Sequence, residues 1–406
     1  MPKGDNKIRI INAAIINSKI LLMKKLFLPI FILTFVIYKL FGPVGDTPYN
    51  YFTRLSAAFL NGQFWIAENP PWLSELVPGG SNKFYIVYPP MPAIASLPFV
   101  AIFGKDFPQQ ILAHLMGAGI VLLTVKLSLR IKSNYKVAFW SGTLVGLGSI
   151  VWFLSSVGSS WYLGQISAMF FMLFALLEVV GEKRGIIIGT FLGASYLSRI
   201  HTVLALPLFI YLIVKDRKSS FLKDAFQIVV GFLPFLMFNS LYNYARFGVI
   251  WDKGYLLIPE IFEEPWYQNG LFHPSYIGRH LEVIFKGLPV IKNTFPYIQP
   301  SWSGMAIWIT TPAFIYSIKT IRQKWAVPFW LTILAIASVV FMHGTTGFAQ
   351  FGYRFAVDFY PFLIFLIIKN VTKTDLKWHH WLLLFISVGV NFWGVLWINK
   401  FGWVSY

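Results

Sequence analysis

The amino-acid sequence predicts an all-α polytopic integral membrane protein with about 11 transmembrane helices. Hydrophobic residues make up 56% of its 406 residues and charged residues only 12%, whereas ordinary soluble domains carry roughly 25% charged residues. Aromatic residues reach 18%, as expected when many helix ends carry interfacial tryptophan and tyrosine. Long apolar runs recur along the whole chain and are separated by short basic clusters.

Each clear apolar run accounts for most or all of one crossing of a hydrocarbon core that is roughly 30 Å thick, at about 1.5 Å per helical residue. These runs are residues 26–41, 108–128, 137–156, 163–180, 225–243, 302–318, 325–342, 355–368 and 381–398.

The distribution of lysine and arginine predicts how two further apolar stretches lie relative to the membrane. Residues 88–104 contain four prolines, and each proline removes a backbone donor that lipid cannot replace. If this stretch lies in the outer interface, the basic loop 126–136 faces the cytoplasm, as the positive-inside rule requires.

Residues 185–214 would be about 45 Å long as one helix, too long for one crossing. We therefore predict a hairpin that turns around Arg199 and His201.

This arrangement predicts a single transmembrane domain over residues 26–398. A basic cytoplasmic N-terminus, 1–25, precedes it, and a short outer tail, 399–406, follows it. Two long outer segments, 42–107 and 244–301, interrupt the spans, and the first is expected to contain interfacial helices. Most of the 34 lysine and arginine residues then lie in the cytoplasm. The formal net charge of +18 is therefore a signal of topology, and no nucleic-acid partner is expected.

The N-terminal segment and the absence of cysteine add two expectations. The first apolar run follows a basic stretch and has no small-residue cleavage site, so we expect a signal anchor and not a cleavable signal peptide. Met23 is an alternative to Met1 as the true start. The sequence contains no cysteine, which excludes disulfides, thiolate catalysis and cysteine-ligated zinc.

Asp46 is the first candidate for chemistry, because it lies directly after the first predicted span. The residues that follow, Thr47 as N-cap and Pro48 at the first helical position, predict a short amphipathic interfacial helix. An ionised carboxylate is favoured near a helix N-terminus by the helix dipole. Two interpretations stay open: Asp46 is a general base, or it only caps the helix.

Three arginines form the second candidate group. Arg199, Arg246 and Arg354 are predicted at the outer ends of spans. A guanidinium near lipid is costly and usually has a partner, and its forked donors suit a phosphate or carboxylate. The alternative is that each arginine snorkels to the interface or pairs with Asp358 or Glu68.

Several short motifs follow one another in order: GDTPYNYFTRLSAAFLNG, FYIVYPPMPAI, NSLYNYARFG and FGYRFAVDFYPFL. Together with an arginine at an outer helix end, this order resembles the GT-C superfamily of polytopic glycosyltransferases. The resemblance is to the protein O-mannosyltransferase and aminoarabinose-transferase-like branch, especially its prokaryotic members, and it runs over nearly the whole chain.

The resemblance implies a GT-C-like fold in a prokaryotic cell membrane. It implies transfer of a sugar from a polyprenyl-phosphate donor to an acceptor on the extracytoplasmic side, with Asp46 as the catalytic base. The residues that we predict to bind the substrate and its lipid phosphate are Arg199, Arg246, Arg354, Tyr353, Tyr88 and His201.

One departure from the family pattern concerns the second carboxylate. Mannosyltransferase-like members often carry two adjacent acidic residues at the first motif, whereas here Thr47 follows Asp46. A second carboxylate would have to come from elsewhere, and Glu68 and Glu75 are the candidates. The histidines lack metal-ligand spacing, so we predict no metal site, although a dependence on a divalent metal stays open.

The predicted partners are a lipid-linked sugar donor, membrane lipids and an acceptor. The sequence does not decide whether the acceptor is a protein, a lipid or a glycan. A transporter or flippase is the main alternative and would favour pseudo-symmetric halves and ionisable groups in mid-span, which the sequence does not show. A ligase that transfers whole lipid-linked glycans is the enzymatic alternative.

Overall fold

The structure is a computed structural model that describes residues 25–215 and 221–405. The predicted cytoplasmic N-terminus 1–25 therefore lies outside the described residues, apart from Lys25. Tyr406 of the predicted tail 399–406 also lies outside them.

The described residues are predominantly helical. Long apolar runs form helices because a helix satisfies every backbone donor and acceptor within one segment, as lipid demands. The helices are α1 (Phe27–Phe41), α2 (Tyr51–Leu60), α3 (Met91–Phe103), α4 (Gln109–Ile131), α5 (Tyr135–Gly146), α6 (Val151–Val157), α7 (Ser160–Val180), α8 (Gly185–Tyr196), α9 (Leu206–Lys215), α10 (Phe221–Phe247), α11 (Ile277–Lys286), α12 (Ile307–Thr310), α13 (Ile315–Ile318), α14 (Val327–Phe341), α15 (Tyr360–Thr374) and α16 (Trp378–Leu396).

Five helices in the described part of the chain are long and apolar enough to cross a membrane. There are six if α5 and α6, which are bent by 53° at the break between them, form one broken span. Several further apolar helices are shorter, among them α1, α3 and α8. The chain is therefore an integral membrane protein, and the count of 11 crossings stays a prediction.

The predicted span 302–318 is not one continuous helix. It consists of α12, a 3₁₀ turn over Pro312–Phe314 and α13. The break arises because Thr311 has an extended φ of −143° and Pro312 lacks the N–H that a continuing α-helix would use. Hydropathy alone does not detect this break, since every residue in it is compatible with an apolar run.

Helices α8 and α10 cross with their backbones in contact. A Cβ on Gly189 would lie 2.0 Å from the carbonyl oxygen of Ile228, and one on Gly231 would lie 2.0 Å from that of Ile186. Small residues allow such close approach in membranes. Helix α8 ends at Tyr196, and a 3₁₀ segment begins at residue 200, so the break predicted around Arg199 is confirmed.

The helix after the first span differs from the prediction in where it begins and in its cap. Helix α2 begins at Tyr51, not at Pro48. Thr47 does not cap it, because the Thr47 hydroxyl accepts from the N–H of Tyr49 at 3.2 Å in a local turn. Six of its ten residues, including Leu55, are buried. Helix α3 and neighbouring segments therefore cover α2, and its position in the membrane interface stays a prediction.

Two short antiparallel hairpins lie between the helices. In the first, β1 (Leu76–Pro78) pairs with β2 (Phe84–Ile86), and Leu76 lies opposite Ile86. A turn with positive φ at Gly80, 73°, joins the strands, as expected for glycine. Because of this register, residues just before β1 lie beside those just after β2. The second hairpin pairs β3 (Val290–Ile291) with β4 (Ile298–Gln299).

Candidate functional site

A cavity of about 2380 Å³ opens at one end of the helix bundle, and we call it the chamber. Small-molecule pockets usually measure about 300–1,000 Å³, so the chamber has room for a ligand larger than one sugar. Its walls come from the β1–β2 hairpin, the start of α7, the break after α8, the segment after α10 and the loop that leads into Arg354. All these stretches are ones that the sequence predicts at outer helix ends or in outer segments.

The β1–β2 hairpin places Glu75 in the chamber wall. Its oxygen Oε2 accepts a hydrogen bond from the hydroxyl of Tyr88, which follows β2. The same oxygen accepts from Trp161 Nε1 at 3.0 Å and from the Tyr255 hydroxyl at 3.3 Å. Three aromatic donors therefore hold Oε2, and none of these three hydrogen bonds involves Oε1.

The environment of Glu75 changes its acidity. Burial raises the pKa of Glu75 to about 7, although the hydrogen bond from Trp161 and the positive charge of Arg354 act in the opposite direction. A carboxylate with a pKa near neutrality can take up a proton and release it again at physiological pH. Glu75 therefore has the acidity that general-base catalysis requires.

Arg354 is a buried cation in the same chamber. It is 7% exposed, and its Nε has no hydrogen-bond partner among the described residues. Its guanidinium lies over the ring of Phe355 at 4.7 Å and is 3.5 Å from the amide oxygen of Gln165. No carboxylate of the described residues forms an ion pair with it. A buried and uncompensated guanidinium is unfavourable, so this cation favours an anionic ligand.

The loop before Arg354 determines where the guanidinium lies. Gln350 is fully buried and donates to the carbonyl oxygens of Ser303, Thr346 and Gly347, while its own oxygen accepts the N–H of Arg354 at 2.9 Å. Gly347 has a φ of +84°, and a Cβ there would lie 3.1 Å from Arg354 Nε. Gln350 and Gly347 are therefore positioning residues for this arginine.

Arg199 and His201 line the chamber beside Arg354, but both contact one carboxylate. Arg199 donates to Asp358 Oδ2 at 3.0 Å, and His201 Nε2 lies 2.8 Å from the same oxygen. The Asp358 side chain is completely buried. Arg199 therefore has the partner Asp358 that the sequence left open as an alternative. Asp358 does not neutralise Arg354, which remains a positive charge in the chamber lining.

Asp46 is not among the residues that line the chamber. Its two carboxylate oxygens accept the backbone N–H groups of Gln109 and Gln110, each at 3.3 Å, so it caps the N-terminus of α4. Burial raises its pKa although these hydrogen bonds lower it. Gln109 in turn donates to Ser160, a residue of the chamber wall. Asp46 therefore lies one layer behind the wall, and its role as catalytic base stays a prediction.

Arg246 also lies outside the chamber lining. It donates to the carbonyl oxygen of Ile86 at 2.6 Å and to the side chain of Asn243 at 2.7 Å. Its guanidinium lies 3.6 Å from the ring centre of Tyr242. These contacts attach the β1–β2 hairpin to α10, so Arg246 supports the wall that carries Glu75.

The structure separates two further predicted residues from the chamber lining. Tyr353 is buried behind Arg354, and its hydroxyl is 2.6 Å from Nδ1 of His280. Glu68 forms ion pairs with Arg54 and, at 2.5 Å, with Lys105. Of the two carboxylates offered by the sequence as a second acid, only Glu75 therefore lies in the chamber.

Several residues of the site escaped the analysis of the sequence. Trp161, Tyr255 and Gln350 lie in apolar or aromatic stretches in which nothing local distinguishes them. The sequence named Glu75 and Tyr88 as candidates but did not predict that they are neighbours. Their proximity could have been predicted, because Pro-Gly-Gly-Ser-Asn between two short apolar segments indicates a hairpin. Such a hairpin brings its two flanks together. Within the described ranges, no group of three or more histidine, aspartate or glutamate side chains is arranged to hold a metal ion.

No family model matches the chain, and no curated protein sequence matches it. Among solved structures, it is similar to the crystal structure of ArnT from Cupriavidus metallidurans bound to undecaprenyl phosphate, with a TM-score of 0.47 and 12% sequence identity. The match covers 91% of this chain and 63% of that chain, so this chain spans less than two thirds of the length of that protein. Because the TM-score is below 0.5, the function below rests on the geometry of the chamber.

Proposed function

We propose that this protein is a GT-C-like membrane glycosyltransferase that moves a sugar from a polyprenyl-phosphate donor to an acceptor. The observation that carries the proposal is that Arg354 and Glu75 both line one large chamber. Arg354 supplies a buried positive charge without an ion-pair partner among the described residues. Glu75 supplies a carboxylate with a pKa of about 7.

The shape of the chamber supports a lipid-linked donor. Its volume of about 2380 Å³ exceeds that of an ordinary pocket of about 300–1,000 Å³. It lies at the end of a bundle of apolar helices, where a polyprenyl tail can stay in the bilayer while its phosphate enters a polar site. An arginine suits this phosphate because its forked donors match phosphate oxygens.

The proposed reaction needs only one proton transfer and one leaving group. Glu75 Oε1 removes the proton from the acceptor, and the acceptor atom forms a bond to the anomeric carbon of the sugar. The bond between that carbon and the phosphate oxygen breaks, and its electron pair leaves with the lipid phosphate. Arg354 stabilises the negative charge that develops on this phosphate.

We also propose that the chamber faces the extracytoplasmic side. Helices α4 and α7 begin at the chamber end, and their other ends are followed by the basic residues Lys132 and Lys183. The positive-inside rule favours the basic ends in the cytoplasm. The chamber then opens on the opposite side, where a lipid-linked sugar and its acceptor would meet.

The proposal assigns to Glu75 the role of base that the family resemblance implies for Asp46. Asp46 is engaged as a helix cap outside the chamber lining, whereas Glu75 belongs to the lining. A general base must reach the proton that it removes, and this requirement favours Glu75.

Purified protein in lipid nanodiscs tests both assignments. Undecaprenyl-phosphate-linked mannose, glucose, galactose and aminoarabinose are supplied with membrane extract as acceptor, and the release of free undecaprenyl phosphate is measured. We expect Glu75→Gln to lower turnover by about 100-fold or more, as for loss of a general base. Asp46→Asn should retain turnover within about threefold and lose a few degrees of Tm, as for loss of a helix cap.

Glu68→Gln is the matched control, because it removes a carboxylate of the same outer segment that lies outside the chamber lining. It should turn over like the wild-type protein. If Asp46→Asn abolishes turnover while Glu75→Gln retains it, Asp46 is the base and the assignment to Glu75 fails. If none of the lipid-phosphate sugars is consumed by the wild-type protein, the proposed donor class is wrong.

A further inference from the structure

The β3–β4 hairpin exposes an unusual set of large apolar side chains. Ile291 is 81% exposed and Phe295 is 67% exposed, although neither belongs to a helix that could cross a membrane. We call the following set the hairpin patch: Phe285, Leu288, Ile291, Phe295, Tyr297 and Ile298, all of them exposed. Soluble surfaces rarely leave so many large apolar side chains together, and such patches mark interaction sites.

Hydrogen bonds and a ring contact attach the exposed hairpin to the rest of the protein. The hairpin lies between α11 and α12, and the N–H of Ala306 donates to the carbonyl oxygen of Gly287 at 2.8 Å. Near the other end of the hairpin, the N–H of Ser405 donates to the carbonyl oxygen of Pro300 at 3.0 Å. The ring of Phe295 packs edge-on against Trp403 with 5.0 Å between ring centres. The protein therefore holds the hairpin patch in one orientation.

The charge of the patch is mainly basic. Lys286 and Lys292 lie in it, residues 287–300 contain no aspartate or glutamate, and the nearest acidic residue along the chain is the exposed Glu282 in α11. Lysines beside exposed aromatic and aliphatic side chains are typical of segments that lie in a membrane interface, with apolar groups in the acyl boundary and ammonium groups among the lipid headgroups.

We propose that the hairpin patch inserts into the headgroup region of an anionic lipid leaflet on the chamber side of the membrane. The charge distinguishes this partner from a second copy of the chain. In a symmetric dimer the same surface meets itself, so Lys292 would face a second hairpin, residues 287–300, that contains no acidic residue. An anionic leaflet supplies both the apolar boundary and the opposite charge. This inference is independent of the proposed enzymatic activity.

The absence of cysteine from the chain allows a direct test. Single-cysteine variants Ile291→Cys and Phe295→Cys are labelled with a bimane fluorophore in nanodiscs of phosphatidylglycerol and phosphatidylcholine. Gln268→Cys is the control, because Gln268 is an exposed polar residue of the same outer segment. We expect lipids with a nitroxide high on the acyl chain to quench labels 291 and 295, and aqueous iodide to quench label 268.

The wild-type lysines should also concentrate anionic lipid. Label 295 should be quenched severalfold more by nitroxide-phosphatidylglycerol than by nitroxide-phosphatidylcholine at low salt, and the variant with K286Q and K292Q should lose this difference. Equal quenching by both lipids in the background with native lysines overturns the anionic preference. Quenching of label 295 by iodide as strong as that of label 268 overturns insertion. Protection of label 295 from both quenchers would show that protein covers the patch, which overturns the proposal as well.

Discussion

The carboxylate of Glu75 is held in one orientation by hydrogen bonds within the protein. Tyr88, Trp161 and Tyr255 all donate to the same oxygen, so the lone pairs of the other oxygen point in a fixed direction. Pre-organised geometry of this kind lowers the entropy that must be lost in the transition state. The three aromatic residues around Glu75 therefore orient the proposed base, and burial of its carboxylate raises the pKa although the hydrogen bonds from Trp161 and Tyr255 lower it.

The raised pKa of Glu75 predicts a pH dependence of the reaction. A base must be ionised, so kcat/KM should rise with pH up to about 7 and fall as Glu75 becomes protonated below this value. Arg354 lowers the pKa of Glu75 through its positive charge, so Arg354→Gln should move the midpoint of the profile to higher pH. A profile of initial rates from pH 5 to 9 in nanodiscs measures both effects. A rate that is flat over this range, or a midpoint that moves to lower pH in the variant, contradicts the role of Glu75.

Single residues also show where the sequence could not decide. The sequence offered two interpretations each of Asp46 and Arg199. Arg199 has the predicted partner Asp358, whereas Asp46 caps α4 and not the helix after the first span that the sequence indicated. The partners are distant along the chain: Asp46 caps a helix that begins at Gln109, and Arg199 pairs with Asp358. Sequence patterns within a short window report on local structure, so they identified the residue types but not these partners.

At the scale of elements, the close crossing of α8 and α10 holds α8 against α10, and α8 ends at Tyr196, just before the break at Arg199. Gly189 and Gly231 each lie against a carbonyl oxygen of the opposite helix, and this contact anchors α8 just before residues that line the chamber. A wider separation of the two helices would displace the 3₁₀ segment that carries His201 and the pairing with Asp358.

Gly189→Ala tests this crossing. The added Cβ would lie 2.0 Å from the Ile228 carbonyl oxygen, so the helices must separate, and we expect a loss of about 1–3 kcal/mol of stability. Gly389→Ala in α16 is the matched control, because a Cβ there meets no atom within 4 Å. Thermal unfolding in detergent, followed by tryptophan fluorescence, should show a lower Tm for Gly189→Ala and an unchanged or slightly raised Tm for Gly389→Ala. Equal Tm values for the two variants would show that the close crossing is unimportant.

The accuracy of the sequence-based predictions also differs among elements. Apolar runs identified α4, α7, α10, α14 and α16, because length and hydropathy are local properties that lipid selects directly. The prolines and the charged cluster identified the short α3 and the break near Arg199. The break at Pro312 was missed because hydropathy does not record the N–H that proline lacks. The start of α2 at Tyr51 was missed because its first N–H groups donate to the distant Ser160 and Gln109.

At the scale of the whole molecule, the chamber combines opposite charges in a way that no single motif shows. Arg354, from the loop before α15, and Glu75, from the β1–β2 hairpin, are far apart in the sequence, and the fold places both in the wall of one cavity. The sequence predicted that acidic and basic groups would meet at one end of the bundle. In the structure Glu75 lies in the wall of this cavity and Asp46 lies outside its lining, and Arg354 is a cation without a carboxylate partner among the described residues.

The affinity for undecaprenyl phosphate tests the central claim most directly, because it depends on the chamber and not on the acceptor. Titration of the purified protein with this lipid, followed by native mass spectrometry, gives Kd for wild type, Arg354→Gln and the control Arg54→Gln, whose guanidinium pairs with Glu68 outside the chamber lining. Loss of a charge-assisted hydrogen bond predicts a Kd about tenfold or more higher for Arg354→Gln, and an unchanged Kd for Arg54→Gln. Equal affinity of all three proteins, or no binding by the wild type, would contradict the account.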